Sequence, residues 1–178
     1  MTDSSLAADP LAALHQRAAD YAPGDTDLAW TRTTTWRALC ASAFDSVPGP
    51  AVEAAVCGEA HDPSCALLAG WLSSRLGLPV EVTPSDGPGI TSVLVRLDGT
   101  ELRLERGDGR TARLRHTGQP DRTLPLSRRE LGDLLAEELQ RLDADETYAE
   151  ALGAATGTRD LSSRSAVRTH VWVEPVPR

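Results

Sequence analysis

The stretch AVEAAVCGEAHDPSCALLAGWLSSRLGLPVEVT, residues 51–83, decides the fold because it contains a strand, a helix and a second strand in succession. Residues 51–57 and 79–83 are the predicted strands. Between them, Asp62-Pro63 supplies an N-cap and a first-turn proline, and Gly77 is a typical helix stop. Strands joined through a helix pair in parallel, so we predict a right-handed βαβ unit here.

Short alternating segments follow this unit, and the turns between them are of the hairpin type. Asp98-Gly99 and Asp108-Gly109 are strong signals for tight turns between antiparallel strands. We therefore predict an antiparallel meander. Its strands cover residues 90–97, 101–106, 111–116 and 122–126.

Helical patterns flank the predicted sheet on both sides along the chain. Apolar residues recur at helical spacing in 10–21 and in a segment from Thr34 that ends at the prolines of 47–50. Capping boxes at Ser127 and Asp143 predict helices over 127–142 and from 143 through Leu152. The fold class is therefore α+β, a mixed sheet from a βαβ unit followed by an antiparallel meander, with packing helices.

The length of 178 residues and the mass of 19.0 kDa are those of one domain. Residues 1–9 are small and polar, and we predict a disordered N-terminus. Residues 10–153 form the predicted α+β domain. Residues 154–178 begin rich in Gly, Ser and Thr, which predicts a flexible linker, and 167–173 are a candidate edge strand.

The charge balance excludes some classes of function. There are 18 basic and 26 acidic residues, and every basic one is Arg. Because this is a general compositional bias, we do not take the abundance of Arg as a functional signal. An acidic chain without a basic cluster is not expected to bind nucleic acid. The longest uncharged apolar stretch, residues 65–72, is too short to span a membrane, and residues 1–10 have no signal-peptide pattern. We expect a cytoplasmic protein.

The residues that could support catalysis or metal binding form no established pattern. Cys57, His61 and Cys65 could suit zinc, but the spacing is not that of a zinc finger and no fourth ligand is evident. No Gly-x-Ser-x-Gly elbow, dinucleotide fingerprint or Walker A lysine is present. We therefore predict no enzyme activity, no cofactor, no structural metal and no essential disulfide.

The segment DLAWTRTTTWR, residues 27–37, is the most unusual part of the chain. Trp and Arg are enriched at binding hot spots, so Trp30, Arg32 and Arg37 are candidates for a partner- or anion-binding surface. Trp36 shares a helical stripe with Leu39, and we assign it to the core. The alternative is that Trp30 packs on its loop and that the two arginines are simply solvated.

A second group of arginines lies in the meander. Strand alternation places Arg103, Arg113 and Arg115 opposite the apolar positions of their strands. We expect a solvated outer sheet face on which Glu101 and Glu105 are their ion-pair partners.

Several motifs follow one another in a distinctive order along residues 10–154. They are YAPGDTDLAWTR from Tyr21, Trp36-Arg37, LLAGWL from Leu67, RLG from Arg75 with Pro79-Val80, GQPDR from Gly118, and LAEEL from Leu135 with Asp145-Glu146 and Tyr148. This order resembles that of the OpcA family of glucose-6-phosphate dehydrogenase assembly proteins, in particular their C-terminal domain. Where the family commonly has proline before the second Trp, this chain has Thr35.

This resemblance implies a non-catalytic partner that promotes the assembly or activity of glucose-6-phosphate dehydrogenase, for example as an allosteric activator, in the oxidative pentose phosphate pathway. A small-molecule or sugar-phosphate binding domain that uses a Trp/Arg pocket is the alternative. A thiol redox or metal module is a third possibility, based on the cysteines.

Overall fold

A computed structural model describes residues 1–44, 49–141 and 143–167 of the chain. A short 3-10 turn, Ser4–Leu6, precedes the first helix. The helices are α1 (Pro10–Asp20), α2 (Leu28–Thr31), α3 (Thr34–Phe44), α4 (Pro63–Leu76), α5 (Leu131–Leu139) and α6 (Glu146–Thr156). The strands are β1 (Ala51–Gly58), β2 (Glu81–Pro84), β3 (Ile90–Leu97), β4 (Thr100–Arg106), β5 (Thr111–His116) and β6 (Arg122–Pro125).

The six strands form one mixed sheet in the order β2-β1-β3-β4-β5-β6. β1 and β2 are parallel, and every other neighbouring pair is antiparallel. The predicted α+β class, with a parallel strand pair and a meander, is confirmed. The second strand begins two residues later than predicted, at Glu81.

The two faces of the sheet differ in polarity. A row of buried apolar residues crosses four strands, because Val56 pairs with Val93, Val93 with Leu104, and Leu104 with Leu114. The residues between them point to the other face, as strand geometry requires. On that face Arg103 pairs with Glu101 and Glu105, and Arg115 pairs with Glu105, as expected. Arg113 pairs instead with Asp121, and Arg96 adds ion pairs with Glu53 and Glu101.

Helix α4 begins and ends as its sequence predicts. The Asp62 carboxylate accepts a hydrogen bond from the backbone N–H of Ser64, and Gly77 ends the helix in the left-handed conformation at φ 70°. Nine residues of α4 are buried, including Leu67, Leu68 and Leu72. They join β1, β3 and α6 in one hydrophobic core.

The first residues of the chain are ordered, in contrast to the predicted disorder of residues 1–9. Asp27 is fully buried, and its carboxylate accepts hydrogen bonds from the Thr2 hydroxyl and from the backbone N–H and hydroxyl of Ser4. A buried carboxylate needs several donors. Residues far away in sequence supply them here, which local composition does not reveal.

The helices at the C-terminal side start later than the capping boxes predict. α5 begins at Leu131, and the preceding Glu130 makes no side-chain cap. The predicted capping box at Ser127 is therefore wrong. Asp145, rather than Asp143, caps α6 by accepting from the N–H of Tyr148. Leu142 lies outside the described residues.

The predicted linker is partly structured. α6 continues to Thr156, Leu161 is buried, and the Arg164 guanidinium donates to the carbonyl groups of Ala18 and Ala19. These contacts attach residues up to 164 to α1. Val167 is exposed and belongs to no strand, and residues 168–173 of the candidate edge strand lie outside the described residues.

We expect Gly70→Ala to lower the free energy of unfolding by about 1–3 kcal/mol, as overpacking does. A Cβ at Gly70 would overlap the carbonyl oxygen of Ala151 and lie 2.9 Å from the backbone nitrogen of Ala155, so α4 and α6 would have to separate. Urea denaturation measures the change.

Gly132→Ala in α5 is the matched control, because nothing lies within 4 Å of a Cβ there. We expect it to leave stability unchanged or raise it by up to about 1 kcal/mol, through helix propensity alone. Equal stability of the two variants would contradict the assignment of Gly70 to a close helix contact.

Candidate functional site

Trp30 lies in the core, although the sequence places it on the functional surface. Its side chain has 0% exposure, and its indole N–H donates to the Asp145 carboxylate at 2.8 Å. The Tyr148 ring lies 5.9 Å away, centroid to centroid. The four-residue helix α2, capped by Asp27, turns the indole inward. Trp30 therefore cannot touch a partner directly in this structure.

Arg37 covers one side of the Trp30 ring. Its guanidinium carbon lies 3.7 Å from the ring centroid, a close cation–π contact. The Nε–H donates to the Thr33 hydroxyl at 3.0 Å. Burial lowers the pKa of Arg37 to about 10, so the group is still charged at neutral pH. Arg37 is thus a fixed, half-buried cation.

Arg32 is held by the N-terminal segment. Its guanidinium forms a two-pronged ion pair with Asp3, at 2.8 and 2.7 Å, with side-chain exposures of 31% and 9%. The hydrogen bond from Arg32 to Asp3 raises the pKa of Arg32. Arg32 lines a cavity that Trp30 and Arg37 do not line, so the structure brings Trp30 and Arg37 together and places Arg32 apart from them.

Trp36 is a core residue, as predicted, with 1% exposure. One edge of its ring also belongs to the wall of the Arg32 cavity. The Arg106 guanidinium lies above this ring, 5.2 Å from the ring centroid. The hydrophobic core and the cavity therefore share a wall.

The cavity has a volume of about 280 Å³ and lies where α3, the β1–α4 loop and the segment after β6 meet. We call it the arginine cavity. Its charged lining residues are Arg32, Arg106, Arg128, Arg129, Glu59 and Asp62.

Among the described residues, two of these arginines donate hydrogen bonds only to backbone carbonyls. Arg106 donates through Nη2 to the Ile90 carbonyl, and Arg128 donates through Nη1 to the Pro88 carbonyl, both at 2.6 Å. Within the described parts of the chain, no carboxylate lies within 4.0 Å of either guanidinium. Burial, and after it the Arg128 charge, lower the pKa of Arg106 to about 10.

The sequence analysis missed Arg106, although strand alternation contained the signal. Leu102 and Leu104 point to the buried face of β4, and Arg106 has the same parity. An arginine on the buried side of a strand is unusual, since charged residues are seldom buried unless paired.

The cysteines are all free thiols. Burial raises the pKa of Cys40 to about 12 and also raises the pKa of Cys65, while the Cys57 sulfur lies 2.9 Å from the Thr83 hydroxyl. Residues 1–44, 49–141 and 143–167 contain no group of three or more His, Cys, Asp or Glu residues suited to a metal ion.

In the same residues, no helix has the length and apolar character needed to cross a membrane.

The fold and the arginine cavity together define an α+β domain with a small cavity that several charged side chains line. The sequence of residues 23–152, more than half of the chain, matches the model of the C-terminal domain of the glucose-6-phosphate dehydrogenase subunit, and the chain belongs to this family. The suspected OpcA relationship is thereby confirmed. A search of curated proteins finds no match.

We expect Trp30→Phe to lower the free energy of unfolding by about 1–3 kcal/mol, because an aromatic ring remains but Asp145 loses one of its hydrogen-bond donors. Trp30→Ala removes the whole ring and is expected to lower it by about 3–5 kcal/mol. Chemical denaturation gives both values.

Trp71→Phe is the matched control, since the described residues offer no acceptor within hydrogen-bond distance of the Trp71 indole N–H. Its effect should be smaller than that of Trp30→Phe. Similar losses for the two Phe variants would show that the Asp145 hydrogen bond contributes nothing measurable.

The Asp3–Arg32 pair should make stability depend on pH. Burial alone would raise the pKa of Asp3, but the hydrogen bond and charge of Arg32 outweigh it and lower this pKa below its ordinary value. The resulting stability is present above the unfolded-state pKa, about 3.9, and is lost as pH falls through the folded-state pKa. Asp3→Asn removes this contribution to stability, because the amide cannot form the ion pair with Arg32.

We therefore expect Asp3→Asn to lower the melting temperature at pH 7 and at pH 5 by similar amounts. Below about pH 4 the difference from the wild type should shrink, because the wild-type carboxyl is then protonated too. Thermal melts between pH 3 and 7 measure this. A difference that stays constant down to pH 3 would contradict the ion-pair assignment.

Proposed function

We propose that this chain is a non-catalytic partner that promotes the assembly or activity of glucose-6-phosphate dehydrogenase. The observation that carries this proposal is the family match over residues 23–152, which spans every strand of the sheet and the helices from α2 to α5. A family described as a subunit domain of that enzyme indicates a role in association with it.

The proposed contact surface includes Arg32 and Arg37 at the α2–α3 edge. Both guanidinium groups are held in one orientation, Arg32 by Asp3 and Arg37 by the Trp30 ring and Thr33. Side chains that are already ordered lose less conformational entropy on binding. Partly exposed arginines of this kind suit hot spots of protein interfaces.

Titration of the chain into the dehydrogenase of the same organism tests the proposal. With the dehydrogenase at low concentration, we expect its rate or its sedimentation coefficient to rise with added chain, and the chain alone to have no dehydrogenase activity. If neither the rate nor the sedimentation changes, the proposal fails for this chain.

Arg37→Gln and Arg113→Gln test the contact surface within the same assay. Arg113 lies on the outer sheet face and is more exposed, so Arg113→Gln removes one charge away from α2 and α3. We expect Arg37→Gln to raise the concentration of chain that gives a half-maximal effect by about tenfold, as loss of an interface arginine does. Arg113→Gln should leave this concentration unchanged. Equal effects of the two would place the contact elsewhere. Thermal melts confirm folding beforehand.

A further inference from the structure

Two buried polar atoms at the arginine cavity have no protein partner. Ser64 is 2% exposed, and neither its hydroxyl oxygen nor the Nε of Arg106 has a hydrogen-bond partner in the described parts of the chain. Buried polar groups in folded proteins are nearly always hydrogen-bonded. Both residues line the same cavity, which indicates that a polar ligand belongs there.

Two guanidinium groups converge on one point beside Gly89. Arg106 Nη2 and Arg128 Nη1 each lie 3.9 Å from the position that a Cβ on Gly89 would occupy, and Asp62 Oδ2 lies 3.6 Å from it. Their charges disfavour each other, because the Arg128 charge lowers the pKa of Arg106 more than the Asp62 charge raises it. An oxyanion between the two groups would relieve this repulsion. Phosphate suits such a pair because guanidinium donors match its oxygens two at a time.

The cavity also contains hydrogen-bond acceptors. Glu59 Oε2 accepts from the backbone N–H of Gly89 at 3.0 Å, and Asp62 Oδ1 accepts from the backbone N–H of Ser64 at 2.8 Å. Each carboxylate has a second oxygen and further lone pairs. These groups would repel a bare polyanion but would accept hydrogen bonds from hydroxyl groups. The ligand therefore combines an anionic end with a hydroxylated end.

The volume limits the size of this ligand. About 280 Å³ lies just below the range of roughly 300–1,000 Å³ that is typical of pockets for drug-sized molecules. A nucleotide or a dinucleotide is large for this space, whereas a monosaccharide-sized compound suits it.

We propose that the arginine cavity binds a phosphate monoester of a small polyol, with the phosphate at Arg106 and Arg128 and the hydroxyl groups at Glu59 and Asp62. The binding is a property of this chain alone and does not depend on the proposed contact with the dehydrogenase. The two proposals can therefore fail separately.

Isothermal titration calorimetry of the full chain tests this, with glucose 6-phosphate as the probe and glucose and inorganic phosphate as comparators. We expect glucose 6-phosphate to bind about tenfold more tightly than either comparator, because only it uses both ends of the cavity. Absence of binding would overturn the proposal. Equal affinity for inorganic phosphate would overturn it too, since the cavity would then recognise only an anion.

Arg128→Gln and its control Arg113→Gln locate the phosphate end. The Arg128 side chain donates to the Pro88 carbonyl of an exposed loop, so we expect this variant to fold normally. It should weaken glucose 6-phosphate binding by about tenfold or more, as loss of a charged hydrogen-bond donor does, while Arg113→Gln binds like the wild type. Wild-type affinity in Arg128→Gln would overturn the assignment.

Glu59→Gln locates the hydroxyl end. The amide oxygen can still accept from Gly89, so the loop geometry is retained, while the stronger carboxylate acceptor is lost. We expect a smaller preference for glucose 6-phosphate over inorganic phosphate than in the wild type. An unchanged preference would contradict the role of Glu59 in hydroxyl recognition.

Discussion

The hydrogen bond from the Trp30 indole to Asp145 is the contact on which the helical layer depends. A buried indole N–H requires an acceptor, and the one it finds also caps α6 through Tyr148 and pairs with Arg141. Glu138 reinforces the same junction by accepting from the hydroxyls of Thr26 and Thr31. Residues more than a hundred positions apart are thereby fixed together.

This junction also positions the arginine cavity. α2 leads directly into α3, and α3 carries Trp36, whose ring faces the core and supplies a cavity wall under Arg106. The half-buried Arg106 cation is stabilised there by the ring face and the Ile90 carbonyl, and the Asp62 charge also favours its charged form. The shape of the cavity therefore follows from the packing of the core.

The sheet was predictable from the sequence because strand alternation and Asp-Gly turns are local signals. The burial of Trp30 was not predictable, since α2 has only four residues and is too short for a periodic pattern to show which side is buried. Ser127 does not cap α5, because the helix begins only at Leu131, and the Ser127 hydroxyl donates to the Arg110 carbonyl instead. Order in residues 1–9 depends on Asp27, a contact distant in sequence.

The arginines of this acidic chain divide into two electrostatic groups. On the outer sheet face they alternate with carboxylates at 2.7 to 3.9 Å, so their fields largely cancel and water screens the remainder. Arg106 and Arg128 donate to backbone carbonyls instead, and the nearby Asp62 carboxylate offsets part of the charge repulsion at the half-buried Arg106. Charges interact more strongly at lower effective dielectric. The arginine cavity thus presents cationic and anionic side chains to a ligand side by side, in a chain whose net charge is -8.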